Sequence, residues 1–94
     1  MSAEERIQIT LLDEVSGQSF KVRVPLDRTV DWLVTAAVQK LNLPRTTSGG
    51  DPVTYEAILK STNQRLNPED TLRSAGVRDG DVIRLVQTIV PGLR

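Results

Sequence analysis

The chain has 94 residues, a length that accommodates one domain. Its 12 basic and 12 acidic side chains leave no formal net charge, so the composition gives no overall attraction to nucleic acid or to an anionic membrane. It contains no cysteine or histidine, which excludes thiol nucleophiles, disulfide bonds, imidazole bases and the usual zinc ligand sets. No apolar segment approaches the ~20 residues that a membrane span needs, and no signal segment opens the chain. We expect a cytoplasmic protein that is not an enzyme and holds no metal or cofactor.

The N-terminal third of the sequence predicts a β-hairpin. Residues 1–5 are polar and are predicted to be a flexible N-terminus. Residues 6–12 alternate apolar and polar side chains, the pattern of a half-buried strand. A turn with Gly17, which can adopt a positive φ, follows, and the alternation resumes over residues 20–24. Two alternating segments around such a turn are typical of a hairpin.

A helix is predicted after the hairpin. Pro25 ends the strand because proline cannot donate to a β-ladder, and Thr29 is a suitable helix N-cap. Pro44 sets the C-terminal limit, since the residue before proline avoids helical backbone angles. We expect one long helix, with Trp32 partly buried beside its apolar stripe. The stripe recurs at spacings of three and four residues: Val30, Leu33, Ala37 and Leu41.

The C-terminal half predicts further short elements. A loop over residues 45–52 precedes a third strand, which is predicted over residues 54–60. A polar turn over residues 62–65 leads to a very short edge strand at Leu66, and residues 67–72 predict a tight turn that enters a short helix. Gly80 lies in the turn before the last strand, predicted over residues 82–86. The predicted class is α+β, with a mixed sheet of four to five strands packed on the helix.

This order of elements resembles the ubiquitin-like β-grasp fold. The resemblance is carried by Thr29 at the helix start and by the apolar spacing of Leu66, Leu72 and Val77. It is carried most specifically by residues 72–81, whose sequence LRSAGVRDGD is similar to the end of ubiquitin-like domains.

The resemblance implies a ubiquitin-like domain over residues 6–86 and a flexible tail over residues 87–94. The chain is similar both to bacterial ubiquitin-like modifiers and to the YukD/EsaB-type small ubiquitin-like proteins linked to type VII secretion. These two groups differ in activity, and a shared fold does not decide between them.

The tail is similar to that of a conjugated modifier, because Gly92 lies six residues beyond Val86. This likeness implies a processing peptidase that removes Leu93 and Arg94. It also implies an ATP-dependent activating enzyme and a conjugating enzyme that transfer the Gly92 carboxylate to target proteins as an isopeptide or ester. Pro91 replaces the first glycine of the usual Gly-Gly pair and fixes φ, which implies a dedicated enzyme set. The competing interpretation is a chain end without function.

A second feature is a set of apolar side chains that point away from the predicted core. The alternation leaves Leu12, Ile58 and Val86 outward, and they match the Leu, Ile and Val recognition patch of ubiquitin residue by residue. This match implies a docking surface for other proteins, which Ile89 and Val90 would extend into the tail. The competing interpretation is that isolated exposed aliphatic residues carry no function.

Three functional hypotheses follow. The first is a bacterial modifier conjugated through Gly92, for which the only lysines, Lys21, Lys40 and Lys60, are candidate acceptors of chain formation, although solvated side chains are the default interpretation. The alternative is a non-covalent interaction module of the YukD/EsaB type. A weaker alternative is a β-grasp sulfur carrier, which the Pro-Gly ending followed by two further residues counts against.

Overall fold

The computed structural model describes residues 5–14 and 16–89, with the backbone alone at residue 89. These residues form a five-stranded mixed sheet, in the strand order β2-β1-β5-β3-β4, and one helix. The central strands β1 and β5 are parallel, and all other neighbours are antiparallel. The α+β class and the mixed sheet agree with the sequence-based expectation. The elements are β1 (Arg6–Asp13), β2 (Ser19–Pro25), α1 (Val30–Lys40), β3 (Val53–Leu59), β4 (Gln64–Arg65) and β5 (Val82–Ile89).

The hydrophobic core lies between α1 and one face of the sheet. The helix contributes Val30, Leu33 and Ala37, all buried, as their spacing predicted. The opposing sheet side chains are buried because alternate residues of a strand point to the same face: Ile7, Ile9, Leu11, Ala57, Leu59, Ile83 and Leu85. Burying each large aliphatic side chain contributes about 1.5–3 kcal/mol. The opposite face of the sheet remains open to solvent.

The expectation of one long helix is wrong, because α1 has 11 residues. The helix begins as predicted, with the Trp32 N–H donating to Thr29 Oγ1 at 3.1 Å. It ends early because Asn42 adopts a left-handed conformation with φ of 55°, which turns the chain away from the helix axis. Leu41, expected on the helix face, is therefore the C-cap residue and is only partly buried. No helix among the described residues is long and apolar enough to cross a membrane.

The segment between β3 and β5 differs from its prediction in two ways. Strand β4 is Gln64–Arg65, inside the segment predicted as a turn, and Leu66 follows it as a buried residue. Residues 67–72 enter a single helical turn, in which the Ala75 N–H donates to the Thr71 carbonyl at 2.9 Å, but no regular helix follows, because other backbone groups of the segment bond neighbouring elements. The Leu72 N–H donates to the Arg28 carbonyl at 2.9 Å, and the Asp70 carbonyl accepts from the Val30 N–H at 2.8 Å.

The turn before β5 is held by two aspartates. Asp79 Oδ1 accepts from the Gln8 N–H at 2.8 Å, and Asp81 Oδ2 accepts from the Arg78 N–H at 2.9 Å. Gly80 between them has a φ of 87°, so the prediction of a left-handed residue is confirmed. Both carboxylates therefore stabilise the turn through hydrogen bonds to backbone N–H groups.

Strand β5 is longer than its prediction. It was expected to end at Val86, but it continues to Ile89, and residues 87–89 pair with the first residues of β3. The start of the predicted tail is thus part of the sheet, where its backbone groups are hydrogen-bonded. Residues 1–4 and 90–94, which hold most of the predicted flexible termini, lie outside the described residues.

Candidate protein-docking face of the sheet

The solvent-facing side of the sheet brings Leu12 and Ile58 to the two sides of Arg84. Leu12 of β1 pairs with Arg84 of β5, and Arg84 pairs with Ile58 of β3. Paired residues on adjacent strands share a face of the sheet. Because adjacent strands are about 4.8 Å apart, Leu12 and Ile58 lie about 10 Å from each other with Arg84 between them.

Val86 completes this group, which we call the sheet patch: Leu12, Ile58 and Val86 around Arg84. Val86 lies two residues beyond Arg84 on β5, or about 7 Å along the strand, on the same face. The side chains of all three aliphatic residues are partly exposed, whereas Leu11, Ala57 and Leu85 beside them are buried. The alternation of each strand therefore leaves three apolar side chains close together outside the core.

Arg84 is held in place by two partners from loops at the sheet margin. Its Nε donates to Glu14 Oε1 at 3.0 Å, and its Nη1 donates to Asn63 Oδ1 at 3.1 Å. The Arg84 side chain is 29% exposed, so water screens the ion pair only in part. These contacts fix a guanidinium between the apolar side chains of the sheet patch.

A second ion pair borders the patch. Glu56 of β3 pairs with Val86, and its Oε2 lies 3.2 Å from Arg65 Nη2 on β4. An exposed pair of this kind contributes about 0.2–1 kcal/mol to stability. Arg84 and Arg65 thus each have a carboxylate partner, so the sheet patch offers apolar contact and hydrogen bonding with its neighbouring charges balanced.

Sequence reasoning did not single out Arg84. Its position between two core residues of an alternating strand predicts that it points outward, and that was the available signal. Its central place depends on the pairing of β5 with both β1 and β3, and these strands are far apart in the sequence. A single sequence does not encode that register in any local pattern.

The structure describes only some of the other candidate site residues. Ile89 is the last residue of β5, and only its backbone is described. The remaining candidates lie outside the described residues: Val90, Pro91, Gly92, Leu93 and Arg94. The predicted processing and conjugation site therefore has no described geometry. The candidate acceptors are exposed on three different elements: Lys21 in β2, Lys40 at the end of α1 and Lys60 directly after β3.

The partly buried Tyr55 and the buried Asp13 both have structural partners. Burial and the charge of Asp13 raise the pKa of Tyr55, and a hydrogen bond with Gln87 opposes this shift. The Tyr55 hydroxyl donates to the Pro44 carbonyl at 2.8 Å, which ties the loop after α1 to β3. Asp13 is buried and its Oδ2 accepts from Ser16 Oγ at 2.8 Å. Across residues 5–14 and 16–89, no three Asp or Glu side chains gather where they could hold a metal ion.

Trp32 is more exposed than its position beside the helix stripe predicted. Its side chain is 37% exposed, which makes it the one large exposed hydrophobic residue in the described part of the chain. The Arg28 guanidinium stacks over its ring, 5.4 Å from the ring centre, a distance typical of a cation–π contact. The indole lies on the helix side of the sheet, away from the sheet patch.

A comparison with protein families gives a match over most of this sequence. The profile of the family described as "WXG100 protein secretion system (Wss), protein YukD" matches residues 6–85. The match runs from the first residue of β1 into β5 and contains Leu12, Ile58 and Arg84. Among curated proteins, none is significantly similar in sequence.

Solved structures with the same fold have low sequence identity to this chain. A protein designed de novo on the basis of ubiquitin has a TM-score of 0.67 at 19% identity, covering 87% of this chain and 88% of its own. A structure described as "Molecular Mimicry of SUMO promotes DNA repair" has a TM-score of 0.67 at 18% identity, with coverages of 90% and 95%. The N-terminal ubiquitin-like domain of the 4931431F19Rik protein, solved in solution, has a TM-score of 0.71 at 15% identity, with coverages of 98% and 84%. These likenesses confirm the ubiquitin-like β-grasp fold.

Proposed function

The chain belongs to the YukD family of the WXG100 protein secretion system, and on that premise we propose that it is a non-covalent interaction module. Its partner is another protein component of such a system, which it binds in the cytoplasm through the sheet patch. The protein contributes a rigid surface to this complex and no catalytic group.

The observation that carries this proposal is the grouping of Leu12, Ile58 and Val86 around Arg84. Three apolar side chains on one rigid face form an anchor, because burying apolar surface gains about 25 cal/mol per Å². Arg84 adds hydrogen-bond donors, and Glu14 and Asn63 fix its position before binding. A side chain held in this way loses little conformational entropy when a partner binds.

The competing modifier hypothesis depends on Gly92, which lies beyond the matched residues 6–85. It needs peptidase cleavage, ATP-dependent activation and transfer, whereas the interaction module needs the folded domain alone. The family match and the geometry of the sheet patch both belong to the folded domain, and they favour the module. The same reasoning applies to the sulfur-carrier hypothesis, which also depends on a released C-terminal glycine.

Charge substitutions in the sheet patch test the proposal. The protein is co-expressed with components of a WXG100 secretion system to identify its partner, and the affinity for the purified partner is then measured by titration. We expect Ile58→Glu and Val86→Glu to weaken binding at least tenfold, because a carboxylate at the contact must be desolvated.

Thr54→Glu is the matched control for these variants. Thr54 is exposed on the same strand as Ile58, faces the same side and lies four residues before it. The Thr54→Glu variant should bind the partner with the affinity of the unchanged protein. Thermal melting checks that all three variants are folded. Binding that survives both patch substitutions would contradict the proposal.

A further inference from the structure

A groove between β2 and α1 forms a second apolar surface, separate from the sheet patch. It encloses about 100 Å³ and lies on the helix side of the sheet, where Trp32 forms part of its wall. The residues that line it include Arg23 of β2 and Lys40 of α1, and none of them is acidic. The apolar residues that line it include Val22, Val24, Trp32, Leu33, Ala37 and Leu41.

Strand β2 is an edge of the sheet, and no other described strand pairs with its outer side. In an antiparallel pair, successive residues direct their backbone groups alternately toward and away from the partner strand. The Asp13 N–H donates to the Gln18 carbonyl, and the Leu26 N–H donates to the Glu5 carbonyl, at the two ends of the β1–β2 register. This register directs the backbone groups of Lys21 and Arg23 toward the outer edge.

The outer edge of β2 therefore offers the N–H and C=O groups of Lys21 and Arg23 to a further strand. Pro25 has no N–H and ends this edge. The other edge strand, β4, has only two residues and cannot accept a strand of useful length. We propose that an extended peptide segment of a partner protein, with alternating apolar and acidic residues, binds by adding a strand to β2.

The alternation follows from the two faces of β2. Side chains of an added strand point alternately into the groove and toward the solvent face of the sheet. Those on the groove side contact Val22, Val24 and Trp32, so they are apolar. Those on the opposite side lie next to Lys21 and Arg23, which are exposed and point to that face, so they are acidic.

The same charges disfavour a second copy of this chain as the occupant. If two β2 edges paired with each other, Lys21 and Arg23 of both copies would lie across from one another. Like charges on directly opposed residues of paired strands are destabilising. A partner with carboxylates at these positions has the complementary charge.

The peptide acetyl-EVDVEIDV-amide is a suitable probe, because Trp32 is the only tryptophan of the chain and reports binding in the groove. We expect a saturable shift of its fluorescence, which the lysine peptide acetyl-KVKVKIKV-amide does not cause. Arg23→Glu should weaken binding of the acidic peptide at least tenfold, whereas Ile58→Glu in the sheet patch should leave it unchanged. The proposal is wrong if neither peptide binds, if both bind equally, or if Ile58→Glu abolishes binding.

Backbone pairing is tested by a matched pair of variants. Lys21→Pro and Lys21→Ala both remove the charge, but only proline removes the N–H that faces the outer edge. Proline should weaken binding well beyond alanine, and equal affinities would overturn the strand-addition geometry.

Amide hydrogen exchange of the unchanged protein tests the same backbone pairing without a substitution. The peptide should slow exchange at Lys21 and Arg23 and not at Phe20 or Val22, whose backbone groups already face β1. Uniform slowing along β2, or none, would contradict the proposal.

Discussion

Individual side chains have different structural roles on the two faces of the sheet. On the solvent side, Arg84 organises the sheet patch through Glu14 and Asn63. On the core side, Tyr55 holds the loop after α1 through the Pro44 carbonyl. Neither contact follows from the residue type alone, because each joins segments that only the folded chain brings together.

The raised pKa of Tyr55 predicts a loss of stability at alkaline pH. The folded state holds the phenol proton more tightly than the unfolded state, in which tyrosine has its ordinary pKa of 10.0. This contribution is therefore complete below pH 10.0 and is lost as the pH rises through the pKa of the folded state. Urea unfolding followed by Trp32 fluorescence should show a steeper alkaline decline for the unchanged protein than for Tyr55→Phe.

The titration of Tyr55 can be measured directly, because it is the only tyrosine of the chain. Its ultraviolet absorbance should show a midpoint above 10.0 in the folded protein and a midpoint near 10.0 in concentrated urea. A folded-state midpoint at or below the urea value would contradict the assignment.

At the level of elements, periodicity predicted those segments that are long enough to show a period. The alternation in β1 and the stripe on α1 gave both their type and their buried apolar residues within the elements, and the alternation in β2 gave its type. Strand β4 has two residues, too few for any period, and its position depends on pairing with β3. The helix end was misplaced because it is set by the backbone conformation of Asn42, which the apolar spacing does not report.

The N-cap of α1 should contribute measurably to stability. Thr29→Ala removes the acceptor of the Trp32 N–H, and we expect a loss of about 1 kcal/mol in the free energy of unfolding. Thr29→Ser keeps the hydroxyl and should retain most of that energy. Thr35→Ala, at an exposed position within the same helix, is the control and should not destabilise the protein. Equal losses for Thr29→Ala and Thr35→Ala in urea titrations would argue against a role of the cap.

For the whole molecule, the sequence predicted the class of fold and the direction of the patch side chains, but not how the strands are arranged. The outward positions of Leu12, Ile58 and Val86 follow from alternation within each strand. Their grouping depends on β5 lying between β1 and β3, a parallel and an antiparallel pairing over long sequence separations. The edge position of β2 and its groove with α1 depend on the same topology. The fold thus provides two separate surfaces, the sheet patch on one face and the β2 edge at the margin.

The last residues of the chain separate the interaction module from the modifier. The last described core residue is Leu85 and the sheet patch ends at Val86, so a chain that ends at residue 90 keeps both. Its free energy of unfolding should lie within about 0.5 kcal/mol of that of the full chain. It should also bind the secretion-system partner with the same affinity. Intact-mass measurement of the full chain, co-expressed with the proteins encoded beside it, should find Leu93 and Arg94 still attached. A product shortened by these two residues and linked through Gly92 to another protein would instead establish conjugation, and loss of partner binding on truncation would contradict a module that acts through its folded face.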